Sequence, residues 1–240
     1  MGTLSLVTFN THYGLGPPRR AGRAYDLGAV LADLAADVMV IQEVWRPDGE
    51  RGVVDAFVEE AGYAMHHVAT GHAADTGRWP HHDPAGRGTV GIAVLTRVPA
   101  RPLPSLPVGP TLGDPAPARA LPQVEVTVGG ARPLRVVGVH LTSRLPHGPM
   151  IQLRRLQRDL PPPGTPTVVA GDCNFWGPPA TALLRDGWRR GVTGRTWPAS
   201  RPHSQIDHVF TRPADVTVTR PVVLDACGSD HRPVRVRLDW

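Results

Sequence analysis

The sequence predicts a layered α/β fold built on mixed or antiparallel sheets. Three observations point there. Short β-type apolar runs recur along the chain, helical stretches separate only some of them, and many neighbouring runs have no helix between them. A doubly wound parallel sheet would need a long crossover, usually a helix, at each parallel step. At 240 residues the length suits one large domain, taken as residues 1–240.

Each element follows from local pattern. Residues 4–9 form a β-type run that closes on Asn10. Residues 25–36 carry Leu27, Val30, Leu31 and Leu34 at helical spacing, and Asp37 leads into a strand at 38–41. A helix is expected over 53–61 and a strand over 63–68. Residues 70–88 are rich in Gly, His, Asp and Pro without a period, which reads as a long loop. A strand follows at 89–95. Residues 99–122 are dense in proline, which cannot donate to a central ladder, so this stretch should cross the surface irregularly or hold only a short edge strand. Strands at 123–128 and 134–141, a helix at 149–160, a strand at 167–170 and a short helix at 178–185 come next. Three strands, at 204–211, 216–223 and 234–238, close the chain.

Composition excludes several classes. No apolar run approaches the roughly 20 residues of a membrane-spanning helix. No apolar hairpin that would dip into a bilayer is evident either. Cys173 and Cys227 are the only cysteines, too few for a disulfide scaffold or a cysteine zinc finger. The first strand begins without a basic flank or an apolar signal core, so a cytoplasmic chain with no obligate protein partner is expected. There is no lysine; all 26 basic residues are Arg, which removes P-loop and Schiff-base lysine chemistry. Guanidinium groups suit phosphate, but Ala, Gly and Pro are abundant too, and the net charge of +5 reflects that bias as readily as a nucleic-acid partner. No G-x-S-x-G occurs, which excludes a serine hydrolase with a nucleophile elbow.

In this biased composition Asn occurs only twice, as Asn10 and Asn174, each at the end of an apolar strand. Other strand ends carry Gln42 and Glu43, His140, Asp172 and Asp207, and Ser229, Asp230 and His231 precede the final strand. Singly, each reads as a turn former or a packing residue. Together they form a chemical inventory. Glu43 and Asp230 are hard oxygen ligands for Mg²⁺ or Mn²⁺, and Asn10 can add a neutral oxygen. His231 or Asp172 can take a proton from water, and Asp207 can hold the far nitrogen of His231. His140 and Asn174 can donate to phosphate oxygens.

Seven stretches then stand in a telling order: TFNTH around Asn10, VIQEVW around Glu43, GIAVLTR, VVGVHLTSR around His140, VVAGDCN around Asp172, SQIDHVF around Asp207 and GSDHRPV around Asp230 and His231. Over nearly the whole chain the series resembles the endonuclease/exonuclease/phosphatase superfamily, which includes exonuclease III, pancreatic deoxyribonuclease, bacterial sphingomyelinases and inositol polyphosphate 5-phosphatases. The resemblance implies a four-layered α/β/β/α sandwich of two mixed, mainly antiparallel sheets with a site at one end. It implies Glu43 as principal metal ligand with Asn10 beside it, and Asp172 and Asn174 at the attacking water and phosphate. It further implies that Asp207 orients His231 and that Asp230 lies near the metal or the nucleophile. His140 falls where the deoxyribonuclease and sphingomyelinase branches carry a second catalytic histidine. A metal-dependent phosphodiesterase of nuclease type is the expectation, with a lipid headgroup or a small phosphorylated metabolite as the alternative substrate and a non-catalytic binding module as the rival from another class. A nucleic acid or another phosphodiester is the expected partner. The chain lacks an obvious Lys-rich or aromatic DNA-gripping insertion.

Some residues lie beside this pattern. His12 follows Asn10 by two residues and is expected to contact substrate. Cys173 interrupts G-D-x-N where a larger apolar residue is usual, and reads as a small buried hydrophobe. His66, His67, His72, His81, His82 and Asp83 lack H-x-x-x-H spacing and are not expected to bind zinc. Arg19, Arg20 and Arg23 form a short basic patch, by default solvated surface, with a phosphate tail as the sharper alternative.

Overall fold

The computed structural model describes residues 1–14, 25–72, 88–114, 116, 119–144 and 147–240. The basic patch at Arg19, Arg20 and Arg23, the loop residues His81, His82 and Asp83, and the side chain of His72 lie outside the described residues. The strands are β1 (Thr3–Asn10), β2 (Val38–Pro47), β3 (Ala64–His72), β4 (Gly88–Thr96), β5 (Ala100–Pro107), β6 (Ala120–Val126), β7 (Leu134–His140), β8 (Thr167–Asp172), β9 (Arg189–Arg190), β10 (Asp207–Thr211), β11 (Thr217–Val223) and β12 (Val234–Asp239). The helices among the described residues are α1 (Leu27–Asp33), α2 (Val53–Ala61), α3 (His147–Asp159) and α4 (Gly177–Leu183).

Two six-stranded sheets result, in the orders β11-β12-β1-β2-β4-β3 and β5-β6-β7-β8-β10-β9. Among the described residues, only β1 with β2 and β7 with β8 pair in parallel; the other pairs are antiparallel. The period-2 alternation of β1 explains the layering. Leu4 and Leu6 join the core shared with the second sheet, whereas Val7 and Phe9 face the opposite way and pack with Leu27 and Leu31 of α1. On the far side, Leu153 and Leu156 of α3 and Ala180 of α4 pack on the second sheet. The fold is therefore the four-layer α/β sandwich, with both sheets mixed and mainly antiparallel. At Gly138 the sheets come so close that a Cβ would lie 3.0 Å from Val40 Cγ1.

The structure differs from the sequence reading in several elements. The first helix is shorter, because Asp26 caps it by accepting the Ala29 N–H at 2.9 Å. β2 continues past Ile41 to Pro47, so Gln42 and Glu43 stand within a strand and not at its end. The proline-rich stretch holds an eight-residue strand, β5, longer than expected. It lies on a sheet edge, where only half of the N–H groups are needed for pairing, and its register slips between Leu103 and Leu106. β10 starts at Asp207, while Ser204 makes only an isolated bridge to Trp197. The two-residue strand β9 and the 3₁₀ turn at His12–Gly14 had no sequence signal. His66 and His67 are successive on β3 and so point to opposite faces, which prevents them from sharing an ion.

His208 on β10 is completely buried. Its Nε2 donates to the Phe175 carbonyl at 2.9 Å, its ring packs on Phe210, and Nδ1 has no partner. Burial pulls its pKa down to about 4. A base with a lowered folded pKa supports the fold above its unfolded value near 6.5, and that support is lost as pH falls toward 4. The loss amounts to about 3 kcal/mol. His208→Gln should flatten this acid limb in urea melts measured from pH 7 to pH 4; parallel limbs in both proteins would refute the assignment.

Candidate active site

Register brings the polar strand ends together. Asn10 lies beside Gln42 on the parallel pair β1–β2, His140 beside Asp172 on β7–β8, and Asp207 opposite Asp172 on β8–β10. Glu43 joins them through a bulge. Ile41 pairs with Ala93 and Val44 with Gly91, so Gln42 and Glu43 oppose a single residue, and Glu43 takes a positive φ of 56°. Gly171, with φ of 144°, allows β8 to approach β7 just before Asp172: a Cβ there would lie 2.0 Å from the Val139 carbonyl oxygen.

The side chains interlock. The Asn10 amide nitrogen donates to Glu43 Oε1 at 3.1 Å and to Asp172 Oδ2 at 3.0 Å, while its oxygen accepts the His12 N–H. His140 Nε2 lies 3.7 Å from Glu43 Oε1 and 3.8 Å from Asp172 Oδ2. His231 Nδ1 meets both oxygens of Asp207, at 2.9 and 3.1 Å, which turns Nε2 toward Asp172 Oδ2, 3.7 Å away. The Asn174 N–H donates to Asp172 Oδ1 at 2.7 Å. Asp230 Oδ1 lies 4.0 Å from both His12 Nδ1 and His231 Nε2. All nine sequence-selected residues thus belong to one connected cluster.

Burial and charge compete within it. Burial raises the carboxyl groups of both Glu43 and Asp172, against the pull of His231. Burial lowers His140 to about 4, despite Asp172 beside it. Burial also acts to lower His231, but Asp207, Asp172 and Asp230 outweigh it and hold its pKa at about 10. The Cys173 thiol is fully buried in the core and pushed far up by burial, which makes it an inert hydrophobe.

The sequence reading named Ser229 without a role and missed Trp197 and Tyr13. Ser229 Oγ donates to the Asn10 carbonyl at 2.7 Å and accepts the His231 N–H at 3.1 Å, stapling the first motif to the last. Its place beside Asp230 was the available signal. Trp197 Nε1 donates to Asp230 Oδ2 at 3.1 Å from a segment with no periodicity to reveal it. Tyr13 lies against Glu43, and burial together with that carboxylate drives its phenol far above the ordinary range.

A sandwich that gathers carboxylates, amides and imidazoles where its strands open defines a hydrolase-like class of α/β protein. The chain belongs to the Endonuclease/Exonuclease/phosphatase family, whose profile matches residues 7–231. Similar solved structures include an endonuclease/exonuclease/phosphatase from Beutenbergia cavernae, 24% identical with a TM-score of 0.77 over 99% of this chain and 72% of that one. D. rerio TDP2 complexed with a single-strand DNA product is 20% identical over 100% of both chains, with a TM-score of 0.69. A mannosyl-6-phosphatase from Bacteroides thetaiotaomicron is 16% identical over 99% of this chain and 100% of that one, with a TM-score of 0.71. No curated protein matches the chain. The family generally uses divalent metals. The residues here fit one: Glu43 Oε2 is buried without a hydrogen-bond partner, and no arginine pairs with Glu43, Asp172, Asp207 or Asp230 among the described residues. Oxygen and nitrogen donors of Asp172, Asp207 and His231 also lie within 4.8 Å of one another. Asp207 and His231 already satisfy each other there, whereas Glu43 retains a free oxygen.

Proposed function

We propose that this chain is a divalent-metal-dependent phosphodiesterase of endonuclease/exonuclease type, one catalytic domain over residues 1–240, that hydrolyses its substrate by direct attack of water. The observation that carries the reading is the carboxylate pair Glu43–Asp172, clipped by Asn10, with the His231–Asp207 pair facing it. Glu43, Asp230 and Asn10 would hold Mg²⁺ or Mn²⁺, which when bound neutralises phosphate charge and sharpens the electrophile. Asp172 and His231 share a 3.7 Å approach and act as one unit that accepts the proton of the attacking water. Asp207 keeps the His231 ring turned toward that water. The Asn174 amide and His140 Nε2 donate to the phosphoryl oxygens as their charge grows, and His12 contacts the substrate beyond.

The substrate class rests on the DNA product held by the similar TDP2 structure. The likeness to a mannosyl-6-phosphatase is equally strong and favours a small phosphorylated metabolite as the second reading. EDTA-treated protein should lose at least ~10²-fold in rate on bis(p-nitrophenyl) phosphate and recover with Mg²⁺ or Mn²⁺. Parallel assays on plasmid, single-stranded DNA and sugar phosphates then separate the two substrates. Full activity in the metal-free protein would overturn the proposal.

A further inference from the structure

The end of β7 is held by an unusual set of side chains. Beyond His140 the Leu141 N–H still donates to the Asp172 carbonyl of β8 at 3.0 Å, and three other main-chain groups of residues 140–142 are held by side chains. Arg119 NH1 donates to the His140 carbonyl at 2.8 Å, Asn174 Nδ2 donates to the Leu141 carbonyl at 2.9 Å, and the Thr142 N–H donates to Gln152 Oε1 at 2.8 Å. Two of these holding side chains, Arg119 and Gln152, converge on one carboxylate. Arg119 binds Asp114 through Nε at 3.2 Å and NH2 at 3.0 Å, and Gln152 Nε2 donates to Asp114 Oδ2 at 2.9 Å. The Ala116 N–H completes Asp114 Oδ1 at 3.0 Å. The Asp114 side chain has no exposure, Arg119 is 6% exposed and Gln152 is completely buried.

We infer that Asp114, Arg119 and Gln152 form a positioning clamp that fixes where His140 stands in the active site. The inference rests on the proposed role of His140. The argument is geometric. The antiparallel register of β6 on β7 carries residue 119 beside the end of β7, and Gln152 reaches the same segment from the buried face of α3. A guanidinium satisfies two carboxylate oxygens and a carbonyl at once because its donors form a rigid fork; a lysine ammonium is a single point. A main-chain segment whose N–H and C=O groups are satisfied by buried side chains moves only if those bonds break together. Its imidazole then keeps Nε2 between Glu43 and Asp172, and errors of about 1 Å in such placement cost up to about 10²-fold in rate.

The test uses Arg119→Lys, Arg119→Ala and Gln152→Leu, which removes one arm without leaving Asp114 unpaired. Kinetics on bis(p-nitrophenyl) phosphate with Mn²⁺ should show kcat falling about 10–100-fold and KM changing little for Arg119→Lys. Added guanidinium should restore part of the rate in Arg119→Ala and none in Gln152→Leu. In metal-free protein, the His140 ring Cε1–H signal, assigned by its disappearance in His140→Gln, should shift or broaden in Arg119→Lys and Gln152→Leu. A His140 signal unmoved in both variants overturns the clamp, whatever the rates do. Wild-type activity in His140→Gln would instead sink the functional role given to His140, while the ring signal still judges the clamp.

Discussion

Asp207→Asn should lower kcat on a phosphodiester about 10³-fold while KM stays within a few-fold. Asp207 is buried and both its oxygens face His231 Nδ1. An amide of the same shape supplies neither the negative charge nor a guaranteed acceptor, so the ring loses its orientation and its largest favourable charge while its burial persists. The His231 pKa, about 10 in the native protein, should fall steeply in the variant, and ¹H–¹³C spectra of metal-free protein would measure it. Stability follows with a defined sign. A base with a raised folded pKa contributes its full support below the unfolded value near 6.5 and loses it as pH climbs through about 10. The variant should therefore melt earlier at neutral pH, with the gap closing in strong alkali. An unchanged His231 titration together with full kcat would remove Asp207 from the site.

What the sequence could reveal depended on whether a residue's signal was local. Asn10, His140 and Asp172 each stand at or just beyond the end of a β-type apolar run, and that local pattern marked them as strand-end residues. Glu43 was selected by the same pattern, after the run that closes on Ile41, but its actual setting was hidden, because Val44 and Trp45 continue β2 and the bulge depends on the register of β4. The proline argument for residues 99–122 fails at an edge, where Pro102, Pro104 and Pro107 are tolerated, and at Pro122, which the inner strand β6 carries at the register slip against β5. Asp114, Arg119 and Gln152 meet only because β6, β7 and α3 pack in three dimensions, and nothing in their spacing announces it. The layer order of the sandwich was likewise supplied by the resemblance, since strand periodicity does not say which sheet a strand enters.

Glu43→Gln separates function from stability most sharply. Glu43 is the acid with a buried, unpartnered oxygen, and burial raises its carboxyl group. Gln keeps the shape and the Oε1 contact with Asn10 but cannot offer an anionic ligand. Affinity for Mn²⁺ should fall at least ~10-fold by calorimetry, and kcat should fall ~10³-fold or more. The metal-free fold should respond in the opposite direction. An acid whose folded pKa is raised binds its proton more tightly when native, so ionised Glu43 costs stability at neutral pH and that cost disappears as pH falls. Removing the charge beside Asp172 should raise the melting temperature of EDTA-treated protein by a few degrees, equivalent to about 1 kcal/mol for a chain of this size. The gain should shrink toward acid pH and vanish when wild-type protein is saturated with Mn²⁺, because the ion relieves the same repulsion. A variant that binds Mn²⁺ as tightly as wild type, or that melts earlier without metal, would show that Glu43 serves the fold and not the ion.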